Sequence, residues 1–302
     1  MMRVMFFGMT GRFSAPPLRS LIEAGLTPQT VIIPAASASA ATPPRRLTPP
    51  APVSTDLPLL DPYLEQNSVH LAWAHHLPVY EVGSLTAAGS LDLLAAFEPD
   101  IIIVACFSLL LPSAVLDLPR YGCLNLHPSL LPAYRGPTPL FWLARQGEQQ
   151  GGVTLHYLDE GLDTGDIVAQ SVLDWPEDLS GIEFEQRCAV EGGRLAVDVL
   201  RQLDAGQPLP RQPQPPEKSS YFSAPTAKDF IIPTHWPAHR AFSFLRRAEG
   251  WPLVIALDDK TILIRIAISY EPEQTLPTPY IFKEDELWVQ FNPGVVRMRI
   301  AK

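Results

Sequence analysis

Cys123–Gly136 reads CLNLHPSLLPAYRG, and its first five residues decide how the chain is put together. An apolar strand pattern closes on Asn125 and His127, two positions apart and therefore facing the same side of a strand. Pro128, Pro132 and Pro137 stiffen the loop that follows, which keeps a site preorganised. In parallel α/β sheets ligands bind outside the carboxyl ends of the strands. The stretch therefore reads as a strand that runs into a site.

Working outward, strand and helix patterns alternate. RVMFFG is an apolar run ending in a glycine turn, and PPLRSLIEAG a short amphipathic helix with proline at its start and glycine at its end. TVIIPA, EPDIIIVAC, GVTLHYL and DIVAQSVLDW read as further strands. VHLAWAHH, Leu91–Phe97 and PTPLFWLARQ read as helices. Ser180 opens a long helix with a Ser-x-x-Glu capping box to Glu183. Residues Ala36–Asp61, rich in Ala, Ser and Pro, read as a long flexible loop. This alternation predicts a Rossmann-like, mostly parallel sheet with helices on both faces over residues 1–205. A proline-rich linker over 206–220 follows. The short strands LVIAL, KTILIRIAI, ELWVQF and VVRMRIA predict a small C-terminal OB-like β-barrel domain over 221–302.

Composition narrows the function. The chain has 302 residues, 46% hydrophobic and 18% charged, which describes a folded globular protein. A formal net charge of −9 argues against a surface coated for nucleic acid. The charge is uneven: residues 1–205 hold 11 Lys and Arg against 22 Asp and Glu, whereas residues 206–302 hold 12 against 10. An anionic partner is therefore better sought in the later segment. The apolar run IIIVACFSLLL is well short of the roughly 20 residues of a membrane helix, and the N-terminal run is too short for a signal peptide. Cys106, Cys123 and Cys188 lack zinc-ligand spacing and disulfide logic, read as buried small hydrophobes, and suit a reducing cytoplasm.

The second polar stretch is DEGLDTGDI, with Asp159, Glu160, Asp163 and Asp166 punctuated by glycines that let the backbone approach a ligand closely. A carboxylate from here, brought beside His127, would orient its ring or raise its basicity. Other signals are weaker. Gly8-Met-Thr-Gly11 is not the dinucleotide fingerprint. His235 and His239 flank Pro237 without a third ligand, so no metal is expected. His156 alternates with Leu155 and Tyr157 and reads as a structural strand residue, with the pocket as its alternative.

In order, Asn-x-His-Pro-Ser-Leu-Leu-Pro, Tyr-Arg-Gly-x-x-Pro, Gly-Val-Thr and Gly-Leu-Asp-Thr-Gly-Asp-Ile resemble the formyltransferase family that uses 10-formyltetrahydrofolate. The resemblance implies Asn125, His127 and Asp163 as the catalytic trio. It implies a folate pocket lined by Phe107, Ser108, Leu109 and Leu110, by Ser129, Leu130, Leu131 and Pro132, and by backbone near Asp159 and Gly161. It implies a monomeric cytoplasmic enzyme of one-carbon metabolism, with initiator methionyl-tRNA as acceptor. Formylation of a small amine such as an amino-sugar nucleotide, or hydrolysis of the formyl donor, would use the same trio. A folate- or RNA-binding module without turnover is the reading from another class. Against the tRNA-formylating members, Ala35–Asp61 is longer and carries only Arg45 and Arg46, and Glu249-Gly250-Trp251-Pro252 replaces their Asn-Pro-Trp-Pro turn.

Overall fold

The computed structural model describes residues 2–36, 43–50, 67–87 and 89–301. Contacts divide the chain into two compact units, one of residues 1–135, 152–173 and 185–220, the other of 136–151, 174–184 and 221–302. The elements run β1 (Val4–Gly8), α1 (Ala15–Glu23), β2 (Thr30–Pro34), β3 (Arg45–Leu47), α2 (Ser68–Ala74), β4 (Val79–Val82), α3 (Ser90–Ala95), β5 (Ile101–Ala105), α4 (Ser113–Leu116) and β6 (Cys123–His127). Then come α5 (Pro139–Gln146), β7 (Gln150–Tyr157), β8 (Ile167–Asp174), α6 (Gly181–Asp204) and α7 (Ala238–Arg247). The chain closes with β9 (Val254–Leu257), β10 (Lys260–Glu271), β11 (Tyr280–Lys283), β12 (Glu286–Gln290) and β13 (Val295–Ile300).

The large sheet has the order β3-β4-β2-β1-β5-β6-β7-β8. Its central pairs, β4–β2, β2–β1, β1–β5 and β5–β6, are parallel. Every residue of β1 and β5 is buried, as expected of strands covered on both faces. Alternate side chains of these strands, Met5 and Phe7 beside Ile102 and Val104, build one core cluster with Ile32, Leu94 and Val115. Two strands depart from the parallel pattern. β3 is a short antiparallel edge on β4, inside the stretch expected to be loop, and Arg45 there pairs with Glu81 at 2.8 Å. Of that loop, residues 37–42 and 51–61 lie outside the described residues. β7 is antiparallel to β6, with Asn125 opposite His156 and His127 opposite Thr154. That register has consequences below.

The linker expected over 206–220 is extended but not independent of the first unit. Ile167 and Gln212 exchange backbone hydrogen bonds, and Gln214 is buried. In the second unit, the five-stranded antiparallel sheet has the order β11-β12-β13-β10-β9, an open half-barrel in which two register shifts along β10 bend the strand. Its unit also holds an aromatic cluster in which Phe141 meets Phe230, Phe244 and Trp251 at ring-centre distances of 5.6, 5.8 and 5.0 Å. The capping box at Ser180 is present: Glu183 N–H donates to Ser180 Oγ, and Ser180 N–H donates to the Glu183 carboxylate.

Candidate active site

Four polar side chains meet at the β6–β7 pair. Asn125 and His127 share a face of β6, and directly opposite residues in an antiparallel pair share a face too, so the register brings His156 beside Asn125. Asn125 Nδ2 lies 3.1 Å from His156 Nε2. Asp163 completes the group from the loop after β7, its Oδ1 3.5 Å from His127 Nδ1 and 3.6 Å from His156 Nε2. The two imidazoles meet edge to face with centres 6.3 Å apart. The expected trio is thus brought together. His156, read from sequence as structural, is a fourth member and is fully buried. Its signal was the even spacing of Thr154 and His156, which becomes informative only once β7 is known to run antiparallel to β6.

The Asp163 loop is shaped by local chemistry. Asp159 Oδ1 accepts from Gly161 N–H at 3.0 Å and from the Thr164 hydroxyl at 2.6 Å, closing a tight turn. A Cβ on Gly161 would meet Thr164 Oγ1 at 2.1 Å, and one on Gly165 would meet the Tyr157 carbonyl at 2.0 Å. Between these glycines Asp163 sits at φ +56°, a left-handed conformation that costs a non-glycine residue energy and marks functional segments more often than ordinary ones. Cys106 and Tyr134, on the loops after β5 and β6, share that conformation. Gln214 Nε2 donates to the carbonyls of Asp163 and Gly165, while Arg135 donates to Gln214 Oε1. The arginine of Tyr-Arg-Gly thereby braces the backbone that carries Asp163. Neither Gln214 nor this use of Arg135 was legible from motif spacing, because the two meet only through the linker.

Backbone carbonyls set both tautomers. A carbonyl can only accept, so His127 donates its Nε2–H to Tyr134 O at 2.9 Å, and His156 donates its Nδ1–H to Tyr157 O at 2.8 Å. In their neutral forms, His127 Nδ1 and His156 Nε2 then carry lone pairs, and both are turned toward Asp163. Burial lowers the His127 pKa below the usual histidine value; the Asp163 carboxylate and the Tyr134 carbonyl offset part of this, and His156 adds to it. His127 is consequently a neutral base at pH 7. A proton taken at Nδ1 would face a carboxylate. Among the described residues no group of three or more His, Cys, Asp or Glu is placed to hold a metal ion.

The residues expected to line a folate pocket separate into two sets. Leu109 and Leu110 form a wall of a 610 Å³ cleft with Leu85, Leu111 and Pro112, a size within the roughly 300–1,000 Å³ of small-molecule sites. Leu110 is 75% exposed there. Asp159 borders a second, polar cleft of 420 Å³ with Asp117, Asp166 and Arg211. Ser108 and Gly161 are exposed, and Leu130 and Pro132 are half-buried. The other set points inward: Phe107 packs on Phe7, Leu131 is buried, and Ser129 is buried with its hydroxyl donating to Ala133 O. Cys123 and Cys188 are buried as expected, their thiols pushed up to about 12 by burial. Cys106 departs from that expectation. It is exposed, in a left-handed backbone conformation just past the end of β5.

Sequence comparison defines the class. A family model described as Formyl transferase matches residues 54–200. The methionyl-tRNA formyltransferase of Agathobacter rectalis is 30% identical over 234 residues, covering 75% of this chain and 74% of its own. That of Syntrophus aciditrophicus is 40% identical over 161 residues, 53% of this chain and 51% of its own, so this second match spans about half of the relative. The fold matches the N-formyltransferase of Helicobacter canadensis, solved with folinic acid and dTDP-3-aminofucose, with TM-score 0.69 and 16% identity over 99% of both chains. The chain belongs to the formyltransferase family. Its enzyme class is that of the 10-formyltetrahydrofolate-dependent formyltransferases.

Proposed function

We propose that this protein transfers the formyl group of 10-formyltetrahydrofolate to the amino group of methionyl-tRNA in the cytoplasm, with Asn125, His127 and Asp163 at the reacting atoms. The observation that carries the reading is His127, held neutral by burial, with Nε2–H on the Tyr134 carbonyl and its basic nitrogen toward Asp163. The amine attacks the formyl carbon, and the carbonyl oxygen becomes an oxyanion. Asn125 donates an amide N–H to it, a contribution on the order of 3 kcal/mol in acyl-transfer enzymes. His127 takes the proton that the amine must lose, and Asp163 stabilises the imidazolium. Collapse breaks the bond to the folate nitrogen, to which His127 returns the proton. The products are a formamide and tetrahydrofolate. The apolar cleft bounded by Leu109, Leu110 and Pro112 would take the donor's ring system.

The acceptor follows the tRNA-formylating relatives. A small amine is the second reading, favoured by one observation: residues 1–205 contain no lysine, and Arg45 of the long loop is already paired with Glu81. Phosphate contacts need free cations. The test incubates the enzyme with 10-formyltetrahydrofolate, with and without charged initiator tRNA, and follows both tetrahydrofolate release and formyl on methionine. Formyl-methionyl-tRNA establishes the reading. Folate release without tRNA points to hydrolysis, and formylation of an amino-sugar nucleotide in place of the tRNA establishes the small-amine reading.

A further inference from the structure

The fourth polar group has no role in the scheme above. His156 is fully buried and lies opposite Asn125 in the β6–β7 register. Its two nitrogens have different partners. Nδ1 donates to the Tyr157 carbonyl, which leaves Nε2 as an acceptor, and the group facing Nε2 at 3.1 Å is the Asn125 amide. Only the NH₂ end of that amide can satisfy an acceptor. An Asn side chain otherwise has two nearly isosteric orientations, one presenting N–H groups and the other a carbonyl oxygen. From these contacts we infer that His156 is a positioning residue that sets the orientation of the Asn125 amide. It holds Nδ2 on the side where one N–H is spent on imidazole and the second remains for the developing oxyanion. The inference rests on the proposed role of Asn125.

The alternative orientation would place Asn125 Oδ1 against the His156 Nε2 lone pair, two acceptors about 3 Å apart in a water-excluded site, a mismatch costly under low dielectric. The imidazole therefore selects one orientation before substrate arrives, which is the preorganisation that makes an oxyanion donor effective. The charged or titratable groups facing His156 are His127 from β6 and Asp163 from the loop after β7. Both meet the His156 ring itself, one as a base and one as a carboxylate, whereas the acceptor directly opposite Asn125 in the register is His156 Nε2.

Two amide substitutions separate this role from a structural one. Gln at 156 can place its carbonyl oxygen where Nε2 stood and keep the acceptor for Asn125. Asn at 156 is shorter, can keep the Nδ1 donation to Tyr157, and lacks the acceptor. The inference expects His156→Asn to lower kcat by about tenfold or more with KM for 10-formyltetrahydrofolate little changed, the signature of an interaction made in the transition state. His156→Gln should recover most of that loss. In the background of Asn125→Ala, itself expected to cost about 100-fold, His156→Asn should cost nothing further, because the two residues act as one unit. Additive losses in the double variant, or a Gln variant less active than the Asn variant at matched thermal stability, would overturn the inference while leaving the role of Asn125 intact. An Asn125→Ala enzyme with full activity would overturn both.

Discussion

His127 and Arg247 are both buried basic side chains, one in each unit, and they are held in opposite ways. Arg247 sends Nη1 to the Glu148 carbonyl at 2.6 Å and Nη2 to the Trp175 carbonyl at 2.5 Å and Gln149 Oε1 at 3.3 Å. Its guanidinium lies over the Trp175 ring at 5.0 Å, and its Nε has no hydrogen-bond partner. Those acceptors are neutral, and a guanidinium does not give up its proton in a protein even where burial lowers its pKa, as here. His127 spends one nitrogen on a carbonyl and keeps the other, basic, toward a carboxylate. A buried cation tied to fixed carbonyls is a strut, whereas a buried base with a nitrogen to spare can do chemistry. The contrast predicts that damage at the two places reads out in different measurements.

The largest effect is expected in the first unit. His127→Ala and Asp163→Asn should each lower formyl transfer by about 100-fold or more, while thermal unfolding shifts little. Asn is chosen at 163 because it tolerates the left-handed backbone there, so that charge is removed without added strain. Near-normal rates in both would remove the trio from the mechanism. The same histidine gives a pH signature. Its folded pKa lies below the ordinary value of about 6.5, so on acidification the unfolded chain binds this proton first. The stability it contributes is complete above about pH 6.5 and is lost as pH falls toward the folded value. Wild type should therefore lose stability relative to His127→Gln over that window in denaturant melts. A flat difference would mean that folding leaves the pKa of the ring unchanged, and a relative gain for wild type on acidification that the fold raises it.

The next effect belongs to the second unit. Arg247→Leu removes a donor from the Glu148 carbonyl and strips the buried Trp175 carbonyl of this one, and a buried acceptor so treated costs about 1–3 kcal/mol, for a loss of roughly 2 kcal/mol overall. Activity per folded molecule at permissive temperature should be nearly unchanged. If the rate instead fell as steeply as in His127→Ala with stability retained, the strut-and-base distinction would be wrong.

What the sequence reveals follows the same division. β1 and β5 were legible because central parallel strands are apolar along their whole length, and β6 because its apolar residues alternate with Asn125 and His127, which a period of two puts on one face. The Asp159–Asp166 stretch stood out through its glycine frame, whose close approaches to Thr164 and Tyr157 are local, and the family resemblance picked Asp163 from its four carboxylates. For His156 the sequence left a structural role and the pocket as alternatives, since the choice comes from a cross-strand register that no local pattern encodes. Gln214 and Arg135 meet across 79 positions, and Arg247 reaches its carbonyl partners across 72 and 99. Such partners are set by tertiary packing. The edge strand at Arg45 was missed for a related reason, because its proline-rich surroundings carry loop composition and its pairing is supplied by β4.

The smallest effect tests the local end of that scale, where sequence and structure agree. Ser180 and Glu183 satisfy each other within one turn of α6: the Ser180 hydroxyl accepts from Glu183 N–H at 3.2 Å, and the Glu183 carboxylate accepts from Ser180 N–H at 2.9 Å and from its hydroxyl at 2.7 Å. Ser180→Ala should cost about 1 kcal/mol, the usual value for losing an N-cap side chain. Glu183→Ala should remove the reciprocal half of the box, so the double variant should lose less than the sum of the two single losses, and chemical denaturation of the four proteins would show it. Neither change should alter the rate of formyl transfer. Additive losses would mean that the two side chains act independently and that the motif, though present, is not one cooperative unit. The coupling expected here is confined to a three-residue interval, which is why Ser-Gly-Ile-Glu alone was enough to read it.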